Sequence, residues 1–416
     1  MKEILVINQP IHNRGDESAH RCLIKALNEA FPMAKIRVLF DFARSRSIET
    51  IRVQHPNIEY VIIYDEPRLA IDYNYFDRFV KKLYRDIARY SVYYNHYGVS
   101  LFLPINRKFA EYVKQADLVI NAPGGIDLGG FMNWNDLYRL NICQIYCKKI
   151  AYYSRSIGPF YRDDKIKRKF TDKCIDFFKS VTFLSLRDEK SFNIADENNI
   201  SYERSVDTAF LSIPDPIMPK ELDSFVDIPY IVMVPNQLIW HYKYKNIAPQ
   251  QIDDIYVNIC NLLFKQFPDH NLVMIPQLYD SGRNGDYDYF YSLATRLRKE
   301  RIKIVSDIYS SDIQQKIIRG ASLVVGARYH TIIWAINNSR PFISLSYEHK
   351  MTGILQELLC LQHSFDLERC LFEKHSEDIY MSKIEELISL AQAHPEAQQM
   401  AYSKAQKGFD KFTKSV

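Results

Sequence analysis

The chain reads as an α/β protein made of two Rossmann-like, doubly wound domains facing a cleft. Three observations predict this. Short apolar runs alternate with helical periodicities along most of the sequence, the pattern of parallel strands joined by crossover helices. A stretch with Pro214, Pro216, Pro219 and Pro229 interrupts the alternation and has the weak periodicity of a linker. At 416 residues the chain is also too long for one typical core. The expected division is 1–215, 228–375, and a helical tail over 376–416 interrupted at Pro395.

The elements follow in order. In the first half, strands are expected at Ile4 to Asn8, Ile36 to Phe40, Ile58 to Tyr64, Leu118 to Ala122, Lys149 to Ser154 and Val181 to Ser185. Helices are expected at Glu17 to Phe31, Trp134 to Lys148 and Asp164 to Lys179. After the linker, Tyr230 to Val234 opens a second series, with strands at Leu272 to Ile275, Ile302 to Val305, Ser322 to Gly326 and Pro341 to Tyr347. Helices there cover Gln251 to Phe267, Tyr287 to Glu300, Thr331 to Asn338 and Met351 to Leu359. One segment stands apart. From Asp72 to Gly98 tyrosines interleave with Arg78, Lys81, Lys82, Arg85 and Arg89, while Phe76, Phe79, Leu83, Ile87 and Tyr90 recur at helical spacing. That stripe reads either as a core face backed by a solvated basic side, or as a surface for anionic lipid or a lipid-linked acceptor.

Composition excludes several classes. Hydrophobic residues at 47% and charged residues at 25% are ordinary for a folded protein. A net charge of +4, from 54 basic and 50 acidic residues, is too balanced to imply nucleic acid. Seven cysteines without paired spacing argue against a disulfide framework and suit a reducing cytosol, and Cys143 and Cys147 read as core packing rather than metal ligands. The apolar run after Met1 stops at Asn8, too short for a signal peptide. No run approaches the ~20 residues needed to span a bilayer. The expected location is the cytoplasm, in solution or peripheral at the inner face of the membrane.

Chemistry concentrates where strands end. Gly326-Ala-Arg-Tyr-His330 lies between an apolar strand and a helix, so Arg328 and His330 sit where helix N–H groups point outward. Glu348, His349 and Lys350 exit the next strand, and successive strand ends share one crevice in an open α/β sheet. In the first half, Asn13-Arg-Gly-Asp-Glu17 joins the first strand to the first helix, with Asp16 or Glu17 as candidate cap. It is either a plain capped turn or a cleft-lining loop. The three-glycine dinucleotide fingerprint is absent there. Pro123-Gly-Gly-Ile-Asp-Leu-Gly-Gly130 puts four of the chain's 13 glycines into one strand exit, which favours close approach of a ligand and marks Gly124 and Gly125. Ser156-Ile-Gly-Pro159 is a third exit, and Arg187-Asp-Glu189 a fourth, where the carboxylates either neutralise Arg187 or cap the following helix. His12 and His20 read as structural or solvated. Trp240, in the loop after the second domain's first strand, offers a ring for stacking on a sugar or for packing.

Taken together, these loops resemble the polysaccharide pyruvyl transferase family. The resemblance rests on Asn13 to Glu17, Pro123-Gly-Gly125, Ser156 to Pro159, Arg187 to Glu189, Asp207-Thr-Ala-Phe210, Gly326 to His330 and Ser346 to Lys350, in order. Ala122-Pro123 and Ser156 stand where the family usually has glycine. The resemblance implies a GT-B-like fold, with the acceptor on the first domain and the donor on the second. It implies no cofactor or metal, with phosphoenolpyruvate as co-substrate and a saccharide acceptor, lipid-linked or polymeric, of a surface polysaccharide such as capsule or exopolysaccharide. The product is a pyruvate ketal. Arg328, Arg187 and Lys350, with Gly326, would hold the donor's carboxylate and phosphate. His330 would move protons, with Glu348 or Asp16 as the acceptor's base. Asn13, Gly15, Glu17, Gly124, Gly125 and Trp240 would line the acceptor cleft. Two competing readings remain: a nucleotide-sugar glycosyltransferase on the same fold, and a non-catalytic sugar-binding protein.

Overall fold

The computed structural model describes residues 2–10, 13–66, 75–125, 128–146, 149–241, 243–279, 285–297, 299–373 and 376–416. His12, residues 72–74 of the tyrosine-rich segment, Ile126, Asp127 and Cys147 lie outside the described residues.

The chain divides into two compact units. The first holds a seven-stranded sheet in the order β3-β2-β1-β4-β5-β6-β7. Its strands are β1 (Glu3–Ile7), β2 (Lys35–Ala43), β3 (Ile58–Asp65), β4 (Leu118–Asn121), β5 (Ile150–Arg155), β6 (Phe183–Leu186) and β7 (Glu203–Arg204). Every pairing is parallel, with Leu5 opposite both Arg37 and Val119. A sheet covered on both faces wants continuous apolar strands, and β1, β4 and β5 are such runs. Two cores result. One packs Leu5, Val119 and Tyr152 against Leu137, Phe177 and Phe178; the other packs Ile4, Ile36 and Ile120 against Leu23, Leu27 and Phe412.

The second unit has a six-stranded parallel sheet in the order β10-β9-β8-β11-β12-β13. These strands are β8 (Tyr230–Val234), β9 (Asn271–Met274), β10 (Ile302–Ile304), β11 (Leu323–Gly326), β12 (Phe342–Ser346) and β13 (Ser364–Asp366). In both sheets the chain reverses direction across the sheet beside its first strand, at β1/β4 and at β8/β11, and such switch points are where open α/β sheets hold ligands.

Three expectations need adjustment. β7 and β13 were not foreseen, because strands of two and three residues containing Glu, Arg, Ser and Asp carry no apolar run. The proline-rich stretch is fastened to the second unit rather than loose: Asp215 pairs with Lys316 and with Arg319 (2.8 Å), and Pro214 accepts from Arg319. The tail does not form a segment of its own. Contacts place residues up to Tyr402 with the second unit and Ser403–Val416 with the first, where Phe409 and Phe412 pack on Tyr153. Residues 13–15 count with the second unit.

The Tyr75–Tyr94 helix also departs from the simpler expectation. It buries Ala88, Ser91 and Val92, whereas Phe79, Leu83 and Tyr90 of the apolar stripe face water.

Candidate functional site

In the second unit the carboxyl ends of β9, β8, β11 and β12 are adjacent, so the loops leaving them stand side by side. Gly326 closes β11, and a Cβ there would lie 2.7 Å from the Thr331 side chain, so glycine lets the next helix sit tight on the strand. That helix, Tyr329–Asn337, starts with Arg328 as its extended N-cap residue. The Arg328 guanidinium pairs with Asp286, a buried carboxylate whose other oxygen accepts the Gln277 and Leu278 N–H groups at 3.0 Å each. Arg328 Nε is buried and has no partner among the described residues.

His330 is buried in the first turn of the same helix, edge-on to Tyr329 at 5.0 Å. Still within the second unit, Gly15 lies against it: a Cβ on Gly15 would fall 2.0 Å from His330 Nδ1. The turn is pinned by Arg14 N–H on the Gln277 carbonyl (2.8 Å) and by Gly15 N–H on Asn13 Oδ1 (2.8 Å). The second bond makes Asn13, not Asp16 or Glu17, the cap of the first helix. So Asn13 and Gly15 stand with His330 in the second unit.

Glu348 leaves β12 and is held from two sides: His241 Nε2 at 2.7 Å from Oε1 and Lys350 Nζ at 2.6 Å from Oε2. Burial pushes its pKa up, but the Lys350 charge and the His241 hydrogen bond outweigh it, and the carboxyl ends well below its usual range. A carboxylate so easily ionised is a poor base. These contacts make Glu348 a carboxylate that orients His241 and Lys350. His241, which comes from the loop after β8, was not singled out by sequence; its only signal was membership of the aromatic loop containing Trp240. Trp240 itself donates its indole N–H to Asn236 Oδ1 (3.1 Å) and leaves its ring partly exposed.

In the first unit, Arg187 follows β6 and is buried against Asp207, with Nε 3.3 Å from Ser156 Oγ. Asp188 caps the next helix through Ser191 N–H (3.0 Å), so neutralisation of Arg187 falls to Asp207 instead. Glu17 is fully buried in the first turn of its helix. The glycine-rich exit serves contacts within the chain: Gly124 bridges Arg155 and Gly129 bridges Gly158. Gly125 faces open space, and Asp16 Oδ1 would lie 3.5 Å from a Cβ on Gly124. Arg155 binds the Ala122 carbonyl (2.7 Å) and the Gly125 carbonyl (2.9 Å).

A cavity of about 270 Å³ opens at the end of β2 beneath the Tyr75–Tyr94 helix, lined among others by Asp41, Tyr84, Arg85, Asn106, Asn135 and Arg139. The Arg139 charge is matched by Asp41 (2.8 Å from Nε) and Asp136 (2.5 Å), and Arg139 also reaches Asn8 Oδ1 (3.1 Å). Asn135 Oδ1 is buried without a partner among the described residues. Arg85 belongs to the basic segment singled out by sequence, whereas Asp41, Asn106, Asn135 and Arg139 carried no signal, being ordinary polar residues scattered over three elements. Among the described residues no three His, Cys, Asp or Glu side chains converge as metal ligands would.

The sequence model of the family described as Polysaccharide pyruvyl transferase matches residues 13–349. The chain belongs to that family. It is a polysaccharide pyruvyltransferase, and the matched span runs from Asn13 to His349, covering both strand-exit clusters. A curated relative, the amylovoran biosynthesis protein AmsJ of Erwinia amylovora, is 22% identical over 373 residues, covering 86% of each chain. Among solved structures, the UDP-GlcNAc 2-epimerase of Methanocaldococcus jannaschii aligns over 100% of both chains with a TM-score of 0.57 and 11% identity. Anabaena HepE in complex with UDP-glucose aligns equally fully, with a TM-score of 0.57 and 12% identity. These likenesses show the fold, which is GT-B-like α/β.

Proposed function

We propose that this pyruvyltransferase takes pyruvate from phosphoenolpyruvate and sets it as a ketal across two hydroxyls of a sugar in exopolysaccharide biosynthesis. The role of AmsJ in amylovoran biosynthesis supports the polysaccharide context. The observation that carries the donor assignment is Arg328: a guanidinium at a helix N-terminus, one N–H unpartnered among the described residues, beside a buried imidazole. A carboxylate and a phosphate need fixed cations, and Arg328 and Lys350 leave adjacent strands. In the reaction His330 delivers a proton to the donor's methylene carbon, which makes C2 electrophilic. One sugar hydroxyl adds to C2 and gives up its proton, phosphate departs with its electron pair, and the second hydroxyl closes the ring. Of the two hydroxyl protons, one replaces that spent on the methyl group and the other leaves with phosphate. Trp240 offers a ring face to the donor side. Arg187, sealed against Asp207 in the first unit, is taken as a structural pair rather than a donor ligand.

The acceptor sugar fits the cavity under the Tyr75–Tyr94 helix. Its amides, phenols and charge-matched Arg139 offer the donors and acceptors that a polyhydroxyl ligand needs. The acceptor is a polymer or its lipid-linked precursor, at the cytoplasmic face of the membrane.

Purified protein with phosphoenolpyruvate and a panel of galactosides and N-acetylhexosaminides should release phosphate and yield a sugar heavier by one pyruvate less one water. Absence of phosphate release with every sugar, together with thermal stabilisation by a nucleoside diphosphate, would replace this reading with sugar transfer.

A further inference from the structure

The Tyr75–Tyr94 helix has three faces instead of two. Ala88, Ser91 and Val92 are buried against the first unit, and Tyr93 meets Trp134 at 6.4 Å. Arg78, Lys82, Arg85 and Arg89, spaced four, three and four apart, form an exposed basic stripe. Tyr75, Phe79, Leu83, Tyr90 and Tyr94 form a third face, and they stay in water: Tyr75 is 88% exposed and Phe79 54%. The segment that follows adds Val99 and Phe102, the latter 84% exposed. Scattered exposed apolar residues need no explanation, but an aligned set on one helix does.

We infer that this helix docks the protein on an anionic lipid bilayer, lying in the plane of the interface. Tyrosine and phenylalanine rings suit the headgroup boundary, and a flanking basic stripe meets lipid phosphates while its alkyl stems lie along the apolar face. At 20 residues the helix is ~30 Å long, enough for an extended footprint. Charge decides against a second copy as occupant. In a two-fold self-contact the basic stripe would meet its own image, with Asp86 the one exposed acidic side chain described on this helix. Nor does the helix insert: no described helix is long and apolar enough to cross a membrane.

This inference goes beyond pyruvyl transfer, and its test reads no catalysis, so either can fail alone. The full chain is sedimented with vesicles of phosphatidylcholine, and with vesicles of equal parts phosphatidylcholine and phosphatidylglycerol. Binding is expected on the mixed vesicles, little on phosphatidylcholine alone, and weakening with added salt. The double variants Phe79→Ser/Leu83→Ser and Arg78→Gln/Lys82→Gln should each lower partitioning about tenfold, with melting temperatures unchanged because all four side chains are exposed. Absence of binding to mixed vesicles, or binding that neither variant lowers, overturns the inference. So does a dimer, seen by light scattering, that Phe79→Ser/Leu83→Ser dissolves while vesicles remain unbound.

Discussion

Two arginines follow buried parallel strands in this chain, and each meets an aspartate from elsewhere in the sequence. Arg187 pairs with Asp207 and Arg328 pairs with Asp286. The first pair is sealed, its side chains 3% and 0% exposed. The second is less closed on the arginine side, at 11%, and its buried Nε has no partner among the described residues. Both aspartates also accept backbone N–H groups: Asp207 from Ala209 at 2.9 Å, and one oxygen of Asp286 from Gln277 and Leu278. One arginine, after a strand next to the sheet edge, is sealed in the first unit, while the other, after the strand beside the switch point, keeps a partly exposed side chain in the second.

That contrast sets the largest expected effect. Arg187→Ala leaves a fully buried carboxylate without its countercharge, which should cost about 3–5 kcal/mol of stability, read as a lowered urea midpoint. Arg187→Ala with Asp207→Leu should recover much of the loss. If Arg187→Ala melted like wild type but lost phosphoenolpyruvate binding, Arg187 would be a donor ligand rather than a weld, and the two arginines would be functional equivalents.

Next in size is His330→Ala. Loss of the proton-transfer group should lower kcat about 10²–10⁴-fold while donor affinity, measured by calorimetry, stays near wild type. Normal turnover would remove His330 from the chemistry. Arg328→Ala should behave in the opposite way, weakening donor binding about 10- to 100-fold through one lost charge-assisted interaction, with a smaller loss of stability than Arg187→Ala because Arg328 is less buried and Asp286 keeps two backbone donors. An Arg328→Ala protein as unstable as Arg187→Ala would erase the distinction between the two pairs.

The contrast also explains what could be read from sequence. The strand exits were legible because β8 and β11 are unbroken apolar runs, and β12 one interrupted only by serines, each followed by polar or charged residues, as Gly326 to His330 shows. Nothing local distinguished Arg187 from Arg328, since both follow such runs; their partners, Asp207 and Asp286, are fixed by tertiary contact alone. His241 and Arg139 were invisible for the same reason. The outward face of the Tyr75–Tyr94 helix was misjudged in its simpler reading because helical spacing of Phe79, Leu83 and Tyr90 reports that they share a side, not which side is covered.

The smallest expected effect concerns Glu348, whose neighbours make it an anion rather than a base. Its folded-state pKa lies below its ordinary 4.5, since Lys350 and His241 overcome the burial that alone would raise it. A depressed carboxylate contributes stability above the unfolded value and loses it as pH falls toward the folded one. Glu348→Gln keeps the shape and loses the charge. The melting-temperature gap between wild type and Glu348→Gln should therefore be widest near neutrality and close as pH drops below about 4.5. The acid limb of the kcat/KM profile should stay where it was in the variant, because a group ionised throughout cannot create it. A vanished limb, or a gap that widens on acidification, would mean that the carboxyl carries a proton in the working range. Glu348 would then be the acceptor's base after all, and the second unit would hold two proton-transfer groups, His330 and Glu348, on neighbouring strand exits.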